Sequence, residues 1–221
     1  MKSVLPFLKE LTENNNREWF NEHKKQYVQV QSEFEQLLSQ VIIGVQTFDK
    51  GIGILQPKDC VFRIYRDVRF SHDKQPYKTN IGGFIARNGR KSIYSGYYIH
   101  IDPEGCFLGG GIYLPEPDIL QLIRNEIYFN SDEMLSILNE PKFVKYFGEI
   151  SDENKLKKPP KGFDPDFKHI DLLKFRNYTV INSFDADRIT SDGFIKEVLD
   201  KFNAMYPLSQ FLNRAIDNRE H

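Results

Sequence analysis

Residues 81–114 read IGGFIARNGRKSIYSGYYIHIDPEGCFLGGGIYL, and the periodicity of this stretch decides the fold class. Residues 81–87 are expected to form a strand. The Asn88-Gly89 pair behind it is the strongest short hairpin signal, because both central positions of a type I′ turn need positive φ. In residues 92–101, Tyr94, Tyr98 and His100 face away from Tyr97, Ile99 and Ile101, the period-two alternation of a strand. Asp102-Pro103-Glu104-Gly105 predicts a type I turn, after which residues 106–114 return as another strand. Strands linked in this way make an antiparallel meander.

Working outward, residues 61–70 alternate as well: Phe62, Ile64, Val68 and Phe70 share one face, Arg63, Tyr65, Asp67 and Arg69 the other. Together with residues 178–184 this predicts a sheet of about five strands. Upstream, VLPFLKEL reads as a short helix, and Asn15 with Glu18 has the spacing of a capping box at the start of the next. Phe20, Tyr27, Val30, Phe34, Leu37, Val41 and Val45 then recur at helical steps, predicting one long helix to Thr47 that spans about 45 Å at about 1.5 Å per residue. Downstream, helices are expected over residues 118–128, 131–139, 142–147, 194–205 and 208–216, with Pro207 interrupting the last pair. Residues 148–168 read as a surface loop and 172–176 as a helical turn. The expectation is one α+β domain over residues 1–221, an antiparallel meander against a long N-terminal helix and several C-terminal helices.

With 40% apolar residues, 18 Phe and 11 Tyr, the chain has the bulk for a core without disulfides or a structural metal. Thirty basic and 31 acidic side chains leave a formal charge of -1, which argues against a nucleic-acid partner held by a global field. No stretch approaches the about 20 apolar residues of a bilayer span, so no membrane partner is expected. Cys60 and Cys106 have no metal-type or redox-type neighbours, and the first thirty residues lack a signal-peptide run. A soluble protein of the reducing cytoplasm is expected.

Polar chemistry concentrates in RIYRDVRFSHDKQPYK, residues 63–78. On the strand reading, Arg63 and Arg69 share a face about 20 Å apart at about 3.3 Å per residue, with Tyr65 and Asp67 between them. Arg66 falls on the apolar face, where a guanidinium needs a partner. The following loop carries Asp73, Lys74, Tyr77 and Lys78, and Arg and Lys suit an anionic group. An ion-pair ladder of purely structural use fits the same residues. Gly110, central in Gly109-Gly110-Gly111, marks a close approach of a ligand or of the long helix. The spacings in DPDFKH match no metal motif, and no cofactor motif or nucleophile elbow is present, so neither metal nor cofactor is expected.

Four segments, NNNREWFNEHKKQY, RIYRDVRFSHDKQPYKTNIG, GYYIHIDPEGCFLGGGIYLPEPDIL and LKKPPKGFDPDF, stand in order along the chain. In these the sequence resembles the bacterial and fungal family catalogued as domain of unknown function 2461. The resemblance implies a compact, stand-alone α+β protein and no particular activity. On the residues themselves, three readings stay open. One is a protein binding a small phosphate- or carboxylate-bearing ligand. Another is a metal-independent hydrolase or transferase using Asp67 or Asp73 as base. The last is a scaffold or interaction module.

Overall fold

The computed structural model describes residues 1–220. Three helices open the chain, α1 (Val4–Glu13), α2 (Arg17–Glu22) and α3 (Lys24–Phe48). The expected single helix to Thr47 is divided at His23, whose backbone leaves the helix at φ -98° and ψ 13°. The His23 imidazole stacks on Trp19 at 4.0 Å, and its Nδ1 contacts the Trp19 carbonyl at 2.8 Å, satisfying the end of α2. Asn16, not Asn15, caps α2: its Oδ1 accepts from the Trp19 amide at 2.9 Å.

After the short α4 (Pro57–Cys60) come β1 (Ile81–Ile85), β2 (Gly96–Ile101) and β3 (Cys106–Ile112). Four further helices follow, α5 (Pro117–Phe129), α6 (Ser131–Leu138), α7 (Pro141–Phe147) and α8 (Ile170–Leu173), before β4 (Tyr178–Phe184) and the closing α9 (Phe194–Asp217). The strands lie in the order β1-β2-β3-β4, every neighbour antiparallel. The fold is the expected α+β meander, with four strands among the described residues instead of about five.

The missing strand is residues 61–70. Only isolated bridges form there, Val61 with Gly83 and Tyr65 with Tyr77. The Phe62 amide donates to Gly82, Lys78 to Ile64 and Arg66 to Pro76, so the segment lies beside residues 76–83 only as far as Arg66. Pro76 has no amide to return a bond, which ends the pairing there. Beyond that point the alternation of Asp67, Val68, Arg69 and Phe70 has no sheet to refer to, and Phe70 is 94% exposed.

One face of the sheet is covered. Ile81, Ile85, Tyr97, Ile99, Ile101, Leu108, Tyr178 and Val180 bury against α3 and α9. Glycines let the helices close in: a Cβ at Gly83 would press on Leu38 and Phe34 of α3, and one at Gly110 would strike Met205 of α9 and the Gly96 carbonyl. Gly110 thus answers to the C-terminal helix, not to the N-terminal one. Pro207 lies inside α9 without breaking it. The carbonyl it frees belongs to Asn203, which is exposed to water, while Met205 and Leu208 on either side of the proline are buried.

Asn88 and Gly89 both have positive φ, 69° and 77°, yet they do not sit in a two-residue hairpin. Pairing ends at Ile85 with Tyr97, which leaves residues 86–95 as a wide connection. Arg87 in it forms an ion pair with Asp217 of α9 at 2.6 Å and lies 4.1 Å over the Tyr94 ring, drawing the loop towards α9.

Candidate ligand groove

Among the described residues no helix lies across the other face of the sheet, and only the start of α5, through Ile119, reaches its rim. Phe84 of β1, Tyr98 and His100 of β2, and Phe107 of β3 stand on it, with Gly82 and Gly109 between them. The cross-strand register sets Phe84 opposite Tyr98, Tyr98 opposite Gly109 and Gly109 opposite Ile181. Large rings thus alternate with bare backbone, and the result is a groove of about 680 Å³. That lies within the about 300–1,000 Å³ of small-molecule sites.

Loops wall the groove. On the β1 side stand Phe62, Arg63, Lys78 and Asn80, with Arg90 and Tyr94 from the connection to β2. Arg90 is fixed by donating to the Lys58 and Asp59 carbonyls at 3.1 and 3.0 Å. At the end of β3, Tyr113, Leu114 and Glu116 close the groove, and Glu153 stands beside β4. Leu114 holds φ 46°, a left-handed value, with its amide donating to Asn177 Oδ1 at 2.8 Å.

Electrostatically the β1 side is distinct. Among the described residues, neither Arg63 nor Lys78 forms an ion pair. Lys78 is half-buried with its ammonium 5.6 Å from the Phe62 ring centre. Burial, with the nearby Arg63 charge, pulls its pKa below the usual lysine value. Tyr98 of the floor places its Oη 3.0 Å from Nδ1 of the neighbouring His100, whose Nε2 lies 4.0 Å from the Asp102 carboxylate. The carboxylate favours the proton on Nε2, which leaves Nδ1 to accept from the phenol. Burial lowers the His100 pKa, with Asp102 opposing and Lys78 adding to the shift, and burial pushes Tyr98 up to about 12. A Cβ at Gly82 would strike the Tyr98 hydroxyl, so the glycine gives that hydroxyl its place.

Of the residues singled out in the sequence, Arg63, Lys78 and Gly110 line this groove. The others do not. Arg66 pairs with Asp73 at 2.5 Å and Arg69 with Asp67 at 2.6 Å, both on the surface loop, where Lys74 donates to the Val68 carbonyl. The Arg69 hydrogen bonds hold Asp67 below the usual carboxylate range, and the Gln75 amide followed by Arg66 does the same for Asp73. Tyr77 is buried and stacks on Phe20 at 4.0 Å, with the Tyr65 ring 5.4 Å away, so these two rings wall the α2 side instead. The shared face of Arg63, Tyr65, Asp67 and Arg69 does not exist. Sequence reasoning missed the lining residues Tyr98, Phe107, Arg90, Tyr113 and Glu153, and His100 behind Tyr98. The Tyr94-Tyr98-His100 alternation was the available signal for the floor; the walls had none. Among the described residues no cluster of His, Cys, Asp and Glu could hold a metal ion. Burial raises the thiol pKa of Cys60 to about 11 and that of Cys106 upward, so neither is an activated nucleophile.

Residues 3–211 match the family model described as "Conserved hypothetical protein (DUF2461)". The chain belongs to this family. In this DUF2461 member the four segments noted above fall on α2 and α3, on the segment leading into β1, on the β2–β3 hairpin with the start of α5, and on the loop before α8. Two of them supply groove residues. No curated protein matches the chain, and no solved structure does.

Proposed function

We propose that the protein binds a small organic anion, a phosphate or carboxylate on a flat apolar body, in the groove on the open sheet face. The observation that carries this reading is a pair of cations without carboxylate partners among the described residues, Arg63 and Lys78, at the edge of a floor made of aromatic rings and glycine backbone. A half-buried ammonium without a counter-charge is costly in the empty protein, and an anion in the groove would offset that cost. The rings and the glycine backbone offer a stacking surface for the apolar part.

The geometry lends no support to a general base at Asp67 or Asp73. Both carboxylates are held by arginines and neither lines the groove. No helix among the described residues is long and apolar enough to cross a membrane. We propose the cytoplasm as the location on the ground that the two buried free thiols suit a reducing compartment.

Calorimetric titration and thermal shift with phenyl phosphate, benzoate and inorganic phosphate test the reading. Binding of an aromatic anion is expected, lost in Lys78→Met, weakened in Arg63→Ala and unchanged in Arg69→Ala. A flat response to all three probes, or equal losses in Lys78→Met and Arg69→Ala, overturns it.

A further inference from the structure

Lys78 is unlike a surface lysine in four respects. It lines a groove large enough for a metabolite, it is half-buried, it forms no ion pair among the described residues, and a second cation stands beside it. Lysines that act as amine nucleophiles are made so by these circumstances, because burial and a neighbouring positive charge both favour the neutral amine. The Phe62 ring supplies the apolar side of the environment and Arg63 the charge. Besides Arg63, the titratable group that faces it is His100 of β2, with Asp102 and Tyr98 at the two ends of that imidazole.

We propose that Lys78 forms an imine with carbonyl compounds that carry an anionic group, the 2-oxo acids and aldehyde phosphates being the chemical class, with Arg63 holding the anion. This rests on the reading of the groove as an anion site. In the step itself, the neutral Lys78 Nζ adds its lone pair to the carbonyl carbon as the C=O π pair moves onto oxygen. One proton passes from the nitrogen to that oxygen to give the neutral carbinolamine; the hydroxyl then leaves as water as the nitrogen gives up its second proton, so both amine protons end in the water and a C=N bond remains. One amine and one carbonyl give one imine and one water, with no oxidant or reductant. The Tyr98 hydroxyl lies on the same floor and is hydrogen-bonded to His100 Nδ1, a donor that can face that oxygen.

The experiment uses the full chain with pyridoxal 5′-phosphate and glyoxylate, reduction by borohydride and peptide mapping by mass spectrometry. Lys78 is expected to carry most of the reduced adduct and to label about tenfold faster than any other lysine, the worth of one charge-assisted contact. Its labelling rate should inflect at lower pH than that of the other lysines, in line with the direction of its shift. Arg63→Ala should slow labelling by pyridoxal 5′-phosphate more than labelling by uncharged pyridoxal, which loses only the help that the Arg63 charge gives the neutral amine. Lys78→Arg separates the two ideas, since it keeps the cation and removes the amine: it should bind phenyl phosphate and give no selective adduct. Adduct spread evenly over surface lysines, and equal in Lys78→Arg, overturns the imine proposal. If phenyl phosphate still binds in that case the anion reading stands; if it does not, both fall.

Discussion

The two faces of the sheet are built from the same materials and end differently. On the covered face Gly83 and Gly110 are bare so that α3 and α9 can come down onto the backbone. On the open face Gly82 and Gly109 are just as bare, yet what comes nearest is the Tyr98 hydroxyl at Gly82 and, at Gly109, the carbonyl of Val180, 2.8 Å from where a Cβ would stand. A glycine-rich strand therefore does not by itself say whether a helix or a ligand comes close. What separates the faces is the partner, and on the open side the β1 edge offers the cations Arg63 and Lys78.

The largest effect should come from the covered face. Phe202→Ala, at a position with 0% exposure, is expected to cost about 3–5 kcal/mol in urea unfolding, as for other buried phenylalanines. Gly110→Val should cost about 3 kcal/mol or more, because the Gly96 carbonyl it would strike is backbone and cannot swing away. On the open face the equivalent change is milder for stability and sharper for binding. Gly82→Ala pushes only against the tip of Tyr98, so a loss of about 1 kcal/mol in unfolding is expected. Weakened binding of phenyl phosphate should accompany it. An equal loss of stability at Gly82 and Gly110 would break the contrast between the faces.

Lys78→Met should leave stability unchanged or raise it by up to about 1 kcal/mol, since it removes a half-buried charge without a partner. A marked loss would mean that the ammonium has a structural role. His100 sharpens the contrast through pH. Its folded pKa lies below the unfolded value, so the unfolded chain takes up the proton first as pH falls. Stability should therefore decline below about pH 6.5 until the folded pKa is passed. His100→Gln should remove that part of the slope between pH 7.5 and 5.5. Smallest of all, Arg69→Ala should leave both stability and binding unchanged in unfolding and titration, since the Arg69–Asp67 pair is exposed and local.

The meander, the helix run after it and the alternation of Tyr98 and His100 were legible because they are local, set by period and turn chemistry within a few residues. The end of pairing at Arg66 was not. It depends on Pro76 lying opposite, and nothing in the alternation of residues 61–70 shows which residue will be the neighbour. The groove was half legible. Arg63 and Lys78 were named for their charge, while their companions come from loops held by contacts far apart in the chain. Arg87 reaches Asp217 across 130 positions, and Leu114 reaches Asn177 across 63. The single helix expected to Thr47 failed for a local reason instead, since nothing in the apolar stripe records that the His23 ring serves the Trp19 carbonyl.

Asn15 does more than precede a cap. Its side-chain amide faces the main chain of Tyr77 in both directions, Oδ1 accepting from the Tyr77 amide at 3.1 Å and Nδ2 donating to its carbonyl at 3.0 Å. One asparagine side chain thus stands in for a peptide unit, 62 positions away in the chain, directly before Lys78. Deamidation of Asn15 would exchange a single NH2 for an oxygen and set a carboxylate against the Tyr77 carbonyl. The groove's lysine would then loosen with the age of the molecule, through a residue that does not itself line the groove.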